Sequence, residues 1–222
     1  MNDEAQNTDN LSVDNLSIDM PMVVPADVTG LEVIAQGKRG IVLRGLYKGK
    51  YVAVKIPRPS SEAINTMGLE ATYLKKVNKL GIGPKFLVAD EEYVVMEFVD
   101  GMRISDFLAD LTTDAETITT MLNKVLTQLF VLDKAGINKY ELTNPYKHII
   151  IKKDGEPVMI DFERARHATK PKNINQFVQY LQSMTVRQLL AGMIDYEELA
   201  INLKKYQETK RENLFEVHPA KG

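Results

Sequence analysis

Two glycines, three bases and several carboxylates recur along this chain in an order that could grip a polyphosphate. Gly37 and Gly40 lie in Ala35-Gln36-Gly37-Lys38-Arg39-Gly40-Ile41-Val42, between two apolar runs. Lys55 closes the run Val52-Ala53-Val54-Lys55, and Glu70 stands in Leu69-Glu70-Ala71. Glu141, Lys147 and His148 follow, and Asp161 ends the apolar stretch before Phe162 and Glu163. Without a Cβ, glycine lets backbone N–H groups approach phosphate closely. A lysine can hold the α- and β-phosphates of ATP, one carboxylate can fix that lysine, and another can bind Mg²⁺. A further polar group can orient an attacking hydroxyl. The chemistry these residue types could do is transfer of the γ-phosphate to a hydroxyl. A Walker loop is absent, because Gly45-Leu46-Tyr47-Lys48-Gly49-Lys50 has the wrong spacing and no Ser or Thr follows.

Taken singly, each piece has an ordinary explanation, such as a hairpin turn, a strand-end lysine or a strand-ending aspartate. In combination and order they resemble the protein kinases. The glycine segment is similar to G-x-G-x-x-G-x-V with Ala35 at the first glycine, and Val52-Ala53-Val54-Lys55 is similar to V-A-I-K. Glu70 would be the helix carboxylate that pairs with Lys55. Glu62 competes for that role, but the helix dipole accounts for an acid at a helix start. Val94-Val95-Met96-Glu97-Phe98-Val99 resembles the hinge, which makes Met96 the gatekeeper and gives Glu97 and Val99 backbone bonds to adenine. Val42 and Ala53 would line the same nucleotide pocket. Asp161 matches the metal-binding Asp of D-F-G, with Glu163 in place of the glycine.

The likeness covers roughly residues 31–165. The segment Glu141-Leu142-Thr143-Asn144-Pro145-Tyr146-Lys147-His148, and a short C-terminal part without Ala-Pro-Glu, resemble the atypical RIO group and a family of small predicted archaeal Ser/Thr kinases. This resemblance implies that Glu141 orients the acceptor hydroxyl and that Lys147 neutralises γ-phosphate charge. It also implies that Asp161 and His148 hold the metal, His148 being a poorer ligand for a hard cation. Lys139 takes the place of the usual histidine. The implied activity is an ATP- and Mg²⁺-dependent Ser/Thr protein kinase acting on a protein substrate. The altered catalytic segment leaves open a nucleotide-binding pseudokinase scaffold, and a small-molecule phosphotransferase is a third reading. Ribosome or nucleic-acid association follows from family analogy alone.

The elements that must position these residues can be read from periodicity. Short β-branched runs over 31–56 predict antiparallel hairpins. A stripe at Ile64, Met67, Ala71, Leu74 and Val77 predicts a helix over 62–79. Strands are expected at 86–89 and 93–98. Thr113-x-x-Glu116 reads as a capping box that opens a helix ended by Gly136. That helix carries one face of Ile118, Met121, Leu122, Val125, Leu129 and Leu132. A strand pair near 148–152 and 157–161 and helices over 173–191 and 195–212 complete the order, the last with Asp195 as N-cap. The expected fold is α+β and two-lobed, like a protein kinase. An antiparallel β lobe would span 30–99 and a reduced, mainly α lobe 100–222, after a flexible tail at 1–29.

Charge separates that tail from the rest. Its first thirty residues carry six acids and no Lys or Arg, so a net charge of −2 for the 222 residues leaves the remainder positive. The tail reads as disordered or as an acidic docking arm. Arg164, Arg166, Lys170 and Lys172 read as a solvated loop, with an acidic partner or RNA as the alternative. With no cysteine there is neither disulfide nor thiolate site. The near-neutral balance gives no bulk pull toward nucleic acid or membrane. No apolar run reaches the roughly 20 residues of a membrane span, and the acidic start is unlike a secretory signal. A cytoplasmic location is the expectation.

Overall fold

Period-two alternation drives the first part of the chain into strands. The structure, a computed structural model, describes residues 23–58, 66–209 and 217–220. Strands β1 (Val28–Gln36), β2 (Gly40–Tyr47), β3 (Lys50–Pro57), β4 (Phe86–Ala89) and β5 (Val94–Glu97) form one antiparallel sheet in the order β1-β2-β3-β5-β4. Ile41, Leu43, Val52, Val54, Ile56 and Val95 point to one face and make a small core with Val28. The intervening residues Ala53, Val94 and Met96 face the opposite way, into the main core, with Val42 packed against it. Since Val42 pairs with Lys55, and Ala53 with Met96, that second face collects four residues assigned from the sequence to one pocket.

Helix α1 (Thr66–Asn78) packs Met67, Glu70, Ala71, Tyr73, Leu74 and Val77 inward. Glu62 and Ile64, expected on its first turn, lie outside the described residues, as does the tail 1–22. Val28 and Thr29, placed in that tail by the sequence, belong to β1, and Val28 is buried there. After α1 the chain turns at Gly83, which has φ +79°. A Cβ there would stand 2.9 Å from the Phe162 ring, so the turn and the Phe162 segment fit only with glycine.

The remainder is mainly helical. It runs through β6 (Gly101–Arg103), α2 (Ile104–Ala109), α3 (Ala115–Lys134), β7 (Ile137–Asn138), a 3₁₀ turn at Pro145–Lys147, β8 (Ile149–Lys152), β9 (Pro157–Met159), β10 (Arg166–His167), α4 (Asn173–Leu181), α5 (Met184–Leu189) and α6 (Tyr196–Thr209). Strands β6, β8 and β9 make a three-stranded sheet, and β10 pairs with β7. The whole is a mixed α+β structure, with the five-stranded antiparallel sheet the sequence predicts and several helices. Among the described residues no helix is long and apolar enough to cross a membrane.

The α3 stripe is buried as its spacing requires, from Ile118 through Leu132. Its cap differs from the expected box. Thr113 closes a turn by donating its N–H to Asp110 O, so the helix starts one residue later. Asp114 is the N-cap and accepts from Thr117 N at 2.7 Å. The predicted helix 173–191 is two helices. Ile174, Phe177, Val178 and Leu181 keep helical spacing up to the C-cap Gln182, and Ser183 then takes extended backbone (ψ 148°) and starts the second helix. Asp195 accepts from Glu198 N at 2.9 Å and starts α6 as expected. The predicted last residues of that helix, 210–212, lie outside the described residues.

A buried network joins α6 to the chain ahead of Glu141. Tyr206 donates its hydroxyl to Asp133 (2.8 Å), and Asp133 accepts from Asn173 Nδ2 (2.7 Å). Asn173 Oδ1 in turn accepts from the backbone N–H of Lys139 (2.8 Å). The cap makes a simple test of the local reading. Asp114→Ala should lower the urea midpoint of unfolding, while Thr113→Ala should leave it close to wild type.

Candidate functional site

On the sheet face turned to the main core, Lys55 ends up almost fully buried beneath the turn between β1 and β2. Gly40 makes room for it: a Cβ at that position would lie 3.0 Å from Ile56 O and 3.5 Å from Lys55 Cε. The ammonium meets three carboxylates, Asp161 Oδ1 at 2.8 Å, Glu70 Oε2 at 2.9 Å and Glu163 Oε2 at 3.1 Å. Burial alone would drive its proton off, but Glu70, Asp161 and Glu163 outweigh that and hold the lysine charged, well above its ordinary value. The other oxygen of Glu70 accepts the backbone N–H of Phe162 at 2.9 Å, so one side chain of α1 fixes both the lysine and the segment after β9.

Asp161 is also held from behind. Lys139 is 1% exposed, donates from Nζ to the Asp161 carbonyl at 2.9 Å and lies over the Phe162 ring at 5.1 Å. Burial lowers the Lys139 pKa. For Asp161, burial opposes ionisation, yet the charges of Lys55 and Lys139 hold its carboxyl far below the usual carboxylate range. Tyr140, Glu141 and Asp161 have φ of 64°, 59° and 64°. Such left-handed backbone at non-glycine residues is strained and persists where surrounding contacts over-determine it.

The remaining residues of the Glu141–His148 segment divide. Glu141 and His148 come to Asp161, with His148 Nδ1 at 3.5 Å from Asp161 Oδ2 and His148 Nε2 at 3.8 Å from Glu141 Oε2. Burial and nearby Lys139 lower the His148 pKa and favour the neutral ring. A divalent cation fits this donor set: three ligand atoms, one from each residue, lie within 4.8 Å of one another, and His148 Nδ1 is buried with no hydrogen-bond partner. A second acidic group, Glu70, Asp161 and Glu163, surrounds the Lys55 ammonium. Lys147 is exposed, with its ammonium over the Tyr146 ring at 5.3 Å, and among the described residues it has no ion pair with the cluster. Met96 is buried on the Lys55 face of the sheet. Glu97 closes β5, its backbone N–H donating to Lys85 O at 2.8 Å, and Val99 follows half-buried. Gly37 N–H donates to Gly40 O at 2.8 Å and closes the turn.

Three residues make contacts that sequence reasoning did not give them. Glu163, noted only as a replacement for glycine, pairs with Lys55 and also accepts from Arg39 Nη1 at 3.2 Å, which ties the glycine turn down. Arg164 is exposed, as expected of a solvated loop, and also donates to Glu141 Oε1 at 2.7 Å. Arg166, likewise exposed, donates to the carbonyls of Glu163 and Ala165.

No family model and no curated protein matches the chain. What the site can do therefore rests on its own geometry.

The depressed Asp161 pKa fixes a sign. Ionised Asp161 contributes stability that is fully present above its unfolded value of about 3.9 and fades as pH falls below it. The melting temperature of wild type should therefore drop more steeply between about pH 4 and pH 2 than that of Asp161→Asn, measured by circular dichroism. Parallel curves would show that Asp161 carries no such linkage.

Proposed function

We propose that this chain is an ATP-dependent protein kinase of the atypical, RIO-like type, which transfers the γ-phosphate to a Ser or Thr hydroxyl. One observation carries the reading: a strand lysine, Lys55, is clasped between a helix glutamate, Glu70, and the aspartate that follows a short apolar strand, Asp161. Phosphoryl transfer needs a cation positioned on the phosphates and a carboxylate free to hold a metal, in fixed mutual geometry. On this reading the five-stranded sheet with α1 is the smaller lobe and the helical remainder the larger.

Each residue then has a task. Lys55 holds α- and β-phosphate oxygens, and Glu70 keeps its ammonium in place. The turn closed by Gly37 and Gly40 has no side chains at those positions to keep the phosphates away from Lys55. Val42, Ala53 and Met96 form the apolar wall for the base, with the backbone at Glu97 and Val99 as its polar edge. Asp161 and His148 are the residues that would hold Mg²⁺, which when bound neutralises charge on the phosphate oxygens. Glu141, on strained backbone beside them, has the charge to orient an acceptor hydroxyl. Lys147, at the end of the 3₁₀ turn, supplies positive charge for the γ-phosphate. Glu163 holds Lys55 and Arg39 in the way an incoming phosphate would, so nucleotide must exchange with it.

A second reading, a nucleotide-binding scaffold without transferase activity, is favoured by the Arg164–Glu141 pair, because that pair engages the carboxylate assigned to the hydroxyl. Incubating the full chain with [γ-³²P]ATP, Mg²⁺ and a generic protein acceptor separates the two. Labelling should occur in wild type and vanish in Lys55→Ala and Asp161→Asn, and Glu141→Gln should lower turnover by about 10²–10⁴-fold. Unchanged labelling and ATP affinity in Lys55→Ala overturns the assignment of the site. ATP binding by wild type without any transfer puts the scaffold first.

A further inference from the structure

The two carboxylates beside His148 are each half engaged. Glu141 gives Oε1 to Arg164 at 2.7 Å and turns Oε2 toward His148. Asp161 gives Oδ1 to Lys55 at 2.8 Å and turns Oδ2 toward His148 Nδ1. Each acid thus has a cation orienting it and one oxygen left over, and the two leftover oxygens flank the same imidazole. His148 Nδ1 is buried without a hydrogen-bond partner, a state that costs free energy unless something occupies the lone pair. The residues come from three separate segments: the loop after β7, the end of the 3₁₀ turn and the loop after β9.

We propose that Glu141, His148 and Asp161 form a three-ligand divalent-cation site that selects a first-row transition ion such as Mn²⁺ over Mg²⁺, with Glu141 as a ligand in its own right. The inference rests on the reading above in sharing Asp161, but the three side chains form the site without a nucleotide. It refines one assignment: Glu141 acts on the transfer through the ion rather than on the hydroxyl directly.

Distances and donor types agree with this. Metal–ligand bonds of about 2.0–2.2 Å place neighbouring donors roughly 3 Å apart. Asp161 Oδ2 faces Nδ1 at 3.5 Å and Glu141 Oε2 faces Nε2 at 3.8 Å, so an ion on one ring nitrogen needs the other carboxylate to swing round the imidazole, within a donor set that already lies within 4.8 Å. Mg²⁺ takes oxygen donors and keeps much of its water, so an imidazole adds little to its affinity. Carboxylates suit both ions, but imidazole nitrogen favours the transition series. The orienting contacts are of the kind that fix ligands elsewhere: Arg164 on Glu141, Lys55 on the Asp161 carboxylate and Lys139 on the Asp161 carbonyl.

The test uses the full chain without nucleotide and MnCl₂ as the probe, following loss of the free Mn²⁺ signal by electron paramagnetic resonance with MgCl₂ as competitor. The expected result is one bound Mn²⁺ per chain, displaced only by a large excess of Mg²⁺. Glu141→Gln and His148→Ala should each weaken Mn²⁺ binding by at least about tenfold. His148→Asn, which exchanges the nitrogen for an oxygen donor, should shrink the Mn²⁺-over-Mg²⁺ preference, with thermal melts reporting that each variant is folded. Equal competition by Mg²⁺, or Mn²⁺ affinity unchanged in folded Glu141→Gln or His148→Ala, overturns the proposal. An ATP titration of the same wild-type sample keeps the two readings apart. Mn²⁺ bound with the stated variant effects, but no ATP binding, sustains the metal site and sinks the kinase reading. ATP bound with no Mn²⁺ site does the reverse.

Discussion

An ammonium group taken out of water must find anions or lose its proton, and in this protein the anions come from far along the chain. Lys55 sits on β3, Glu70 on α1, and Asp161 and Glu163 after β9. Breaking a buried ion pair by removing one partner typically costs about 3–5 kcal/mol, although here two carboxylates remain when one is lost. The sheet, the helix and the loop are therefore held in register by a single charge. Glu70 strengthens the arrangement because its second oxygen takes the Phe162 amide, so the loop cannot slide past the helix without breaking both contacts.

Around that charge the polar groups form a graded series. Lys55, Glu70 and Lys139 are buried, Asp161 and His148 are half-buried, and Arg39 and Arg164 reach in from the surface. Each inner group has at least one protein partner. At the outer edge, His148 Nδ1 has no hydrogen-bond partner and one oxygen of Asp161 faces it. A buried, rigid interior with unused lone pairs at its rim is what a site needs in order to hold a ligand without rearranging.

The parts of this that could be read from the sequence are those governed by periodicity. The β2–β3 hairpin and the α3 stripe follow from spacings of two and of three to four, whereas Val42, Ala53, Lys55 and Met96 were grouped by motif likeness and share a face through the strand register. Glu70 was legible as the helix carboxylate because Glu62 had a competing explanation. Less legible were features decided by contacts across the chain. Arg39 and Glu163 are 124 residues apart, and nothing local distinguishes either from a surface charge. The left-handed backbone at Tyr140, Glu141 and Asp161 was invisible because the usual marker, glycine, is missing there. The cap of α3 shifted by one residue because Asp is the better N-cap of the two and Thr113 is taken up by the turn at Asp110.

The hydrogen bonds that run Tyr206–Asp133–Asn173–Lys139 end on the Asp161 carbonyl. Their consequence concerns how the molecule opens. Fraying of a terminal helix is ordinarily a local event of low cost. When α6 lifts away here, Asp133 loses its phenol, and the amide that steadies Lys139 loses part of its own anchor. The last described helix and the half-buried aspartate are thus joined by a continuous path of hydrogen bonds, and amide protection along α6 is expected to report on order at a carboxylate it never touches.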